Sequence, residues 1–390
     1  MHIDSAREGK KGACSPPEPG SRTPTLWLIL GDKLGDNRQV DIIADELGWP
    51  VTVKRLRFLD RYAVKKPTFQ PSLHHVDLEQ SSPLNPPWPE LVITVGRRPS
   101  MAALWVYEQS GGRTKLVIVG RPIRRMNDFA LVVASPQYRL PKRPNVIHLA
   151  FPLIRADQAA ISAAVEIWRS RLEVLPRPIT GVFVGGPTRP FVFSPESARD
   201  FIQRLNTTAG ASGTLFVSTS RRTPADVVET LAAHLPASAQ LFKWELNASD
   251  NPYLALLGLA DRFVVTGDST SMIVEVARLG KPLAIYPLPL TRSPWSRVRG
   301  WLAAQIQPGA GATDHPSLLN RFGDVLYNLG LISYSRDLSA LHQRLIEQGR
   351  AVLLGADFPA GKTEPLPDGL PEVARRIRAL FRRLNSDPPV

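Results

Sequence analysis

The apolar run "RFVVT" stops at Gly267, and the chain continues Asp268-Ser269-Thr270-Ser271-Met272 before a helical pattern that reaches Glu275. In an open parallel sheet, a helix that starts beyond a strand's carboxyl end presents free backbone N–H groups and the positive end of its dipole, a setting for phosphate. Small hydroxyl residues let a phosphate approach and add donors. Glu275, about a turn further in, is a carboxylate able to accept both hydroxyls of a ribose. The plain alternative is an N-cap, with Asp268 or Ser269 closing the helix and no ligand involved. Two other run ends carry similar chemistry. "VFVGGPTRP" offers Gly185 and Gly186, where a phosphate can come close, then Thr188 and Arg189 as donor and cation; Gly-Gly-Pro is also an ordinary turn. "FVSTSRRTP" sets Arg221 and Arg222 between Ser220 and Thr223, suited to gripping a diphosphate, or else simply a solvated basic loop.

These residues need strands to hold them at one edge. The runs "TLWLILGD", "VTVKRL", "ELVITVGRR", "KLVIVGRP", "FALVVASP" and "NVIHLAF" are short, β-rich and apolar on both alternating sets, as strands covered on both faces are. Helical patterns lie between them. In "NRQVDIIADELG" (37–48), Val40, Ile43, Ala44 and Leu47 share a face and Gly48 stops the helix, with Asp36 or Asn37 the natural cap. After a long helical stretch at 155–175 the alternation restarts with "ITGVFVGGP", and Ser194 and Thr223 each precede a proline as N-cap candidates. The expected architecture is α/β, with two Rossmann-like doubly wound domains facing a cleft. Its divisions are a disordered leader (1–24), an N-terminal domain (25–175), a C-terminal domain (176–345) and a helical segment (346–390) that can pack back on the first domain.

Composition narrows the partners. Lysine and arginine number 48 against 35 acidic residues, a net charge of +13, which favours anionic ligands or surfaces. A single cysteine, Cys14, rules out an intrachain disulfide and a cysteine-based zinc site, and points to a reducing compartment. The seven histidines show no metal-ligand spacing. Without an apolar run near the ~18 residues of a membrane span and without a secretory h-region, the expectation is a cytoplasmic protein, at most peripheral at the inner face of a membrane. Two basic segments suit an anionic bilayer: "RSPWSRVRGW" (292–301), and "PEVARRIRALFRRL" (371–384), whose Val373, Ile377, Leu380, Phe381 and Leu384 share one helical face. For the second, the preferred reading is that its apolar face packs on the protein and its arginines are solvated. Nucleic acid is a weak candidate, since no recognised module is present.

Taken in order, "GDKLGDNRQ", "VGGPTRP", "STSRRTP", "DNPYLALLGLAD" and "TGDSTSMIVEVARLGKP" resemble the mitochondrial fission family named for elongated mitochondria, which has plant members and bacterial homologues. That family looks related to GT-B glycosyltransferases, which implies a GT-B-like fold with an acceptor domain at 25–175 and a nucleotide-sugar domain at 176–345. The resemblance implies a nucleotide-diphosphate sugar, such as a UDP-sugar, as co-substrate without a metal or resident cofactor. It implies Gly185 and Gly186 as the glycine-rich first loop of the donor domain, Asn251 and Tyr253 within a further motif, Ser269 to Ser271 facing the diphosphate, and Glu275 on the ribose. The N-terminal loop has no histidine, so Asp36, or else Asp32, is the expected base for an acceptor hydroxyl, and the acceptor is expected to be a lipid-linked or cell-envelope glycan. The rival expectations are a non-catalytic adaptor that recruits partners at a membrane, as the fission role of plant relatives implies, and a sugar-nucleotide epimerase.

Overall fold

The computed structural model describes residues 23–64, 67–188, 191–208, 213–246, 250–290, 323, 325–327, 337–359, 361, 364 and 366–381. The expected leader up to residue 22, the candidate Arg189 and the basic segment 292–301 lie outside the described residues. The chain divides into two compact units, one comprising Met1–Val133, Pro144–Ile147 and Gly369–Val390, the other Ala134–Arg143 and His148–Asp368.

In the first unit, β1 (Leu26–Leu30), α1 (Leu34–Leu47) and β2 (Val51–Arg55) are followed by a small antiparallel pair, β3 (Arg57–Phe58) and β4 (Val76–Asp77), with the short α2 (Arg61–Val64) between them. Then come β5 (Leu91–Val95), α3 (Arg97–Gln109), β6 (Lys115–Val119), β7 (Leu131–Ala134) and β8 (Val146–His148). The sheet order is β2-β1-β5-β6-β7-β8, and the β2–β1–β5–β6–β7 pairings are parallel. Helix α1 buries the expected stripe of Val40, Ile43, Ala44 and Leu47, and Gly48 ends it in the left-handed region at φ 65°, donating its N–H to the Ala44 carbonyl. The helix begins earlier than the sequence suggests: its N-cap is Lys33, with no side-chain cap. Neither Asp36 nor Asn37 is the cap; Asn37 is buried and its amide donates to the Gly31 carbonyl at 2.9 Å.

The second unit opens with α4 (Gln158–Leu172), capped by Asp157, whose side chain accepts from the Ala160 N–H. Its strands and helices alternate: β9 (Ile179–Phe183), α5 (Pro195–Thr208), β10 (Thr214–Ser218), α6 (Ala225–His234), β11 (Gln240–Phe242), α7 (Tyr253–Leu259), β12 (Arg262–Thr266), α8 (Thr270–Arg278), β13 (Leu283–Tyr286), α9 (Ser339–Glu347) and β14 (Val352–Leu353). All pairings are parallel, in the order β11-β10-β9-β12-β13-β14. Counted from β9 this is the 3-2-1-4-5-6 order of a doubly wound dinucleotide-type sheet. The continuous apolar runs have a direct cause. Phe183, Phe263, Val265 and Ile285 enter one core, whereas Val182, Val264, Ala284 and Tyr286 enter the other, so each strand is buried on both faces.

One expected boundary moves. The sequence places helix α4 in the N-terminal domain, but Ile161, Trp168 and Leu172 share a core with β9, β12 and α7 of the second unit. The approach to α7 is close, because a Cβ on Gly258 would meet Val165 Cγ2 at 2.3 Å. The C-terminal helix α10 (Leu370–Ala379) belongs to the first unit, where it packs on α1. Val373, Ala374 and Ile377 are fully buried, and Arg378 donates to the Glu46 carbonyl at 2.7 Å, satisfying the end of α1. The apolar face of this helix is core, so Val373, Ala374 and Ile377 are not available to a bilayer.

Candidate functional site

In a 3-2-1-4-5-6 sheet the strand order reverses between the first and fourth strands, here β9 and β12, and ligands bind beyond the carboxyl ends at that point. Gly185-Gly186 follow β9 and Gly267-Asp268-Ser269 follow β12. The tertiary structure brings them into direct contact, with Asp268 at the centre. Its Oδ2 accepts from the Gly186 N–H at 2.8 Å and from Arg222 Nη2 at 3.1 Å, and its Oδ1 accepts from the Thr266 hydroxyl at 2.8 Å. The Gly185 N–H donates to Thr266 Oγ1 at 2.8 Å. Burial pushes the Asp268 carboxyl above the usual carboxylate range, while the Gly186 N–H, the Thr266 hydroxyl and the Arg222 charge act against it.

This geometry corrects part of the sequence reading. The sequence suggests room for a phosphate at the two glycines, yet a Cβ on Gly185 would lie 2.3 Å from Asp268 Oδ2, and one on Gly186 1.9 Å from the Arg222 carbonyl oxygen. Their missing side chains admit Asp268 and the β10–α6 turn instead. Arg222 is likewise engaged within the protein, on Asp268 and on Thr188 Oγ1 at 2.6 Å. Thr223 is no helix cap, since α6 has Pro224 at that position. Its hydroxyl donates to the Gly185 carbonyl at 2.7 Å and accepts from the Ser220 N–H at 2.9 Å, tying the β10 loop to the β9 loop. Ser194 does sit one residue before α5, where its carbonyl accepts from the Ala198 N–H.

The start of α8 is not engaged in this way among the described residues. Ser269 is its N-cap and makes no side-chain cap bond. The first helical N–H to find a carbonyl is that of Ile273, on Ser269, so Thr270, Ser271 and Met272 precede the internal ladder. Ser269 is buried, Thr270 is half-buried and Ser271 exposed, and Met272 packs against the core. Arg221 is exposed and has no ion pair among the described residues. Glu275 is buried at 9% exposure and accepts a hydrogen bond from the Tyr253 hydroxyl, which links α8 to α7. Tyr253 lies on Phe183 with ring centroids 4.5 Å apart, and its N–H donates to Asn251 Oδ1 at 3.0 Å, so Asn251 shapes the start of α7.

Sequence reasoning missed His342, which a lone histidine on an apolar helix face does not announce. A Cβ on Gly267 would meet its Cε1 at 2.7 Å, so glycine is required for the ring to underlie this loop. The ring hydrogen-bonds the Gly267 main chain, its Nε2 is buried without a partner among the described residues, and burial lowers its pKa.

The two candidate bases lie in the first unit. Asp32, after β1, is exposed and paired with Arg98 at 3.2 Å, and Asp36 sits in the first turn of α1. A histidine is present close by. His75 is fully buried, stacks on Phe58 at 5.6 Å and hydrogen-bonds the Arg98 carbonyl through Nε2 at 2.9 Å. Burial lowers its pKa to about 4, so the ring is neutral near pH 7.

A family model described as mitochondrial fission ELM1 matches residues 35–306. The mitochondrial fission protein ELM1 of Arabidopsis thaliana is 24% identical over 219 residues, which is 50% of this chain and 51% of the relative, so the chain spans about half the length of that plant protein. An uncharacterized protein, RP120, of Rickettsia prowazekii (strain Madrid E) is 23% identical over 297 residues, 67% of this chain and 82% of the relative. Among solved structures, the UDP-GlcNAc 2-epimerase of Methanocaldococcus jannaschii aligns over 92% of this chain and 99% of its own, with a TM-score of 0.46 and 10% identity.

Proposed function

The chain belongs to the mitochondrial fission ELM1 family, and from that premise we propose that it is a GT-B-like glycosyltransferase whose second unit binds a nucleotide-diphosphate sugar. The observation that carries this reading is the uncapped start of α8 at the β9/β12 reversal, followed by the buried carboxylate of Glu275. Helix N–H groups and the hydroxyls of Thr270 and Ser271 suit a diphosphate, and Glu275 suits ribose hydroxyls. Arg221 and the helix dipole would stabilise the departing diphosphate without a metal. Asp36, or Asp32 after release from Arg98, would serve as the acceptor's base in the first unit. The acceptor would be a lipid-linked or envelope glycan, met in the cytoplasm or at the inner face of a membrane. Among the described residues no helix is long and apolar enough to cross one.

A second reading, a non-catalytic adaptor that keeps the fold, draws support from Asp268. By engaging the Gly186 N–H and Arg222, it withdraws two groups that would otherwise face a phosphate. A thermal-shift titration with UDP and other nucleoside diphosphates separates the two. The transferase reading expects Tm to rise with nucleotide concentration by linkage, and no shift at millimolar nucleotide would leave the adaptor.

A further inference from the structure

At the amino edge of the first sheet, opposite the edge that carries Asp32, the residues just before β5 and β6 line an open cavity of 490 Å³. One stretch of the lining runs from Pro86 to Glu90, and the other is the turn that carries Arg113. The Thr114 hydroxyl donates to the Pro89 carbonyl at 2.7 Å, which fixes the two stretches to each other. Trp88 is half-buried and held by two further tryptophans, meeting Trp27 and Trp105 edge-on with ring centroids 6.2 and 5.9 Å apart. A ring fixed in this way has little side-chain entropy left to lose when something packs on its open surface. Arg113 is exposed; its Nε donates to the Ser110 carbonyl at 2.9 Å, and no carboxylate pairs with it among the described residues. The cavity thus combines a proline and tryptophan wall with one uncompensated cation.

The chain outside the described residues ends at this cavity. Strand β1 pairs with β5 with Leu26 opposite Leu91, which sets Thr25 beside Glu90 of the lining. The Thr25 N–H donates to Glu90 Oε2 and the Glu90 N–H donates to Thr25 Oγ1, each at 3.0 Å. Shortly before Thr25 the sequence reads Ser15-Pro16-Pro17-Glu18-Pro19-Gly20-Ser21-Arg22. Proline fixes φ near the polyproline II value, so such a stretch loses little backbone freedom when it docks on an aromatic-lined surface. Pro19 precedes Thr25 by six positions, roughly 20 Å of extended chain, enough to return across a cavity of this size. Glu18, among the prolines, carries the charge opposite to that of Arg113.

We propose that the cavity before β5 and β6 is the docking site of the chain's own proline-rich segment, Pro16 to Pro19, with the prolines seated on Trp88 and Glu18 paired with Arg113. This interaction involves no nucleotide, and it stands whether or not the start of α8 binds one.

Cys14 is the only cysteine and lies two positions before Pro16. A bimane on its sulfur in the full chain therefore reports contact with tryptophan, which quenches that fluorophore only at short range. Emission should be low in the labelled native sequence and rise severalfold in Trp88→Phe, which keeps an aromatic wall but removes the quencher. The combined change Pro16→Ser, Pro17→Ser, Pro19→Ser alters no described residue and should raise emission as much. Glu18→Arg and Arg113→Glu should each raise it in part, and the two together should lower it again. Emission that rises on dilution would assign the cavity to the leader of a second copy. Equal emission in the native sequence and Trp88→Phe, or quenching that survives the serine changes, would show that the prolines do not seat on Trp88. Each of these results overturns the proposal.

Discussion

Arg222 Nη2 lies 3.1 Å from Oδ2 of Asp268, and the carboxylate is fully buried while the arginine side chain remains 44% exposed. The pair joins the loops after β9, β10 and β12, because the same carboxylate holds the Gly186 N–H and the Thr266 hydroxyl. Asp268→Ala should therefore leave three donors unpaired and destabilise the second unit by roughly 2–4 kcal/mol. Urea unfolding measures this, and a change under about 0.5 kcal/mol would mean that the network contributes nothing.

Two glycines should respond in opposite directions to alanine. At Gly186 the new Cβ would fall 1.9 Å from the Arg222 carbonyl oxygen, so backbone must move and a loss of about 3 kcal/mol or more is expected. Gly35 is inside α1 with nothing within 4 Å of its Cβ position. There alanine should stabilise by about 0.5–1 kcal/mol. Equal effects at the two sites in thermal or urea unfolding would contradict the packing described.

Glu275→Ala should weaken nucleoside-diphosphate binding by roughly 1–3 kcal/mol, since ribose hydroxyls would lose a charged acceptor. Tyr253→Phe removes only the hydroxyl that Glu275 accepts from, and should change affinity by less than about tenfold. Calorimetry on both variants is the check, and unaltered affinity in folded Glu275→Ala would reject the ribose role.

Acid should weaken the first unit through His75. Its folded pKa is about 4, below the ordinary 6.5. The unfolded chain therefore binds the proton more readily, so the contribution is complete above pH 6.5 and lost as pH falls toward 4. At about 1.4 kcal/mol per unit, the loss amounts to roughly 3 kcal/mol. His342, also lowered by burial, adds a slope of the same sign in the second unit. Unfolding midpoints from pH 7 to 4 should show the decline, and His75→Gln should flatten it.

Ending the chain after Asp368 removes Val373, Ala374 and Ile377 from α1, together with the edge-on contact of Phe381 with Trp49 at 5.6 Å. The truncated protein should aggregate or unfold at a markedly lower temperature. A soluble, equally stable truncation would show that α10 is dispensable.

The sequence by itself determined the alternation of strands and helices. Runs such as "RFVVT" are apolar at successive positions because both faces of each strand meet a core, and Gly48 ends α1 because only glycine takes φ 65° without strain. The edge on which the polar loops gather followed from that alternation. Three things were decided by tertiary structure alone. Whether a glycine serves a ligand or a neighbouring side chain depends on what stands opposite its Cβ, and for Gly185 that atom comes from Asp268, 83 residues away in sequence. Helix α4 reads the same whichever sheet it covers, and its partner α7 is nearly a hundred residues downstream. His75 and His342 looked like isolated histidines because burial, the cause of their lowered pKa values, is a property of the folded surroundings that no local spacing encodes.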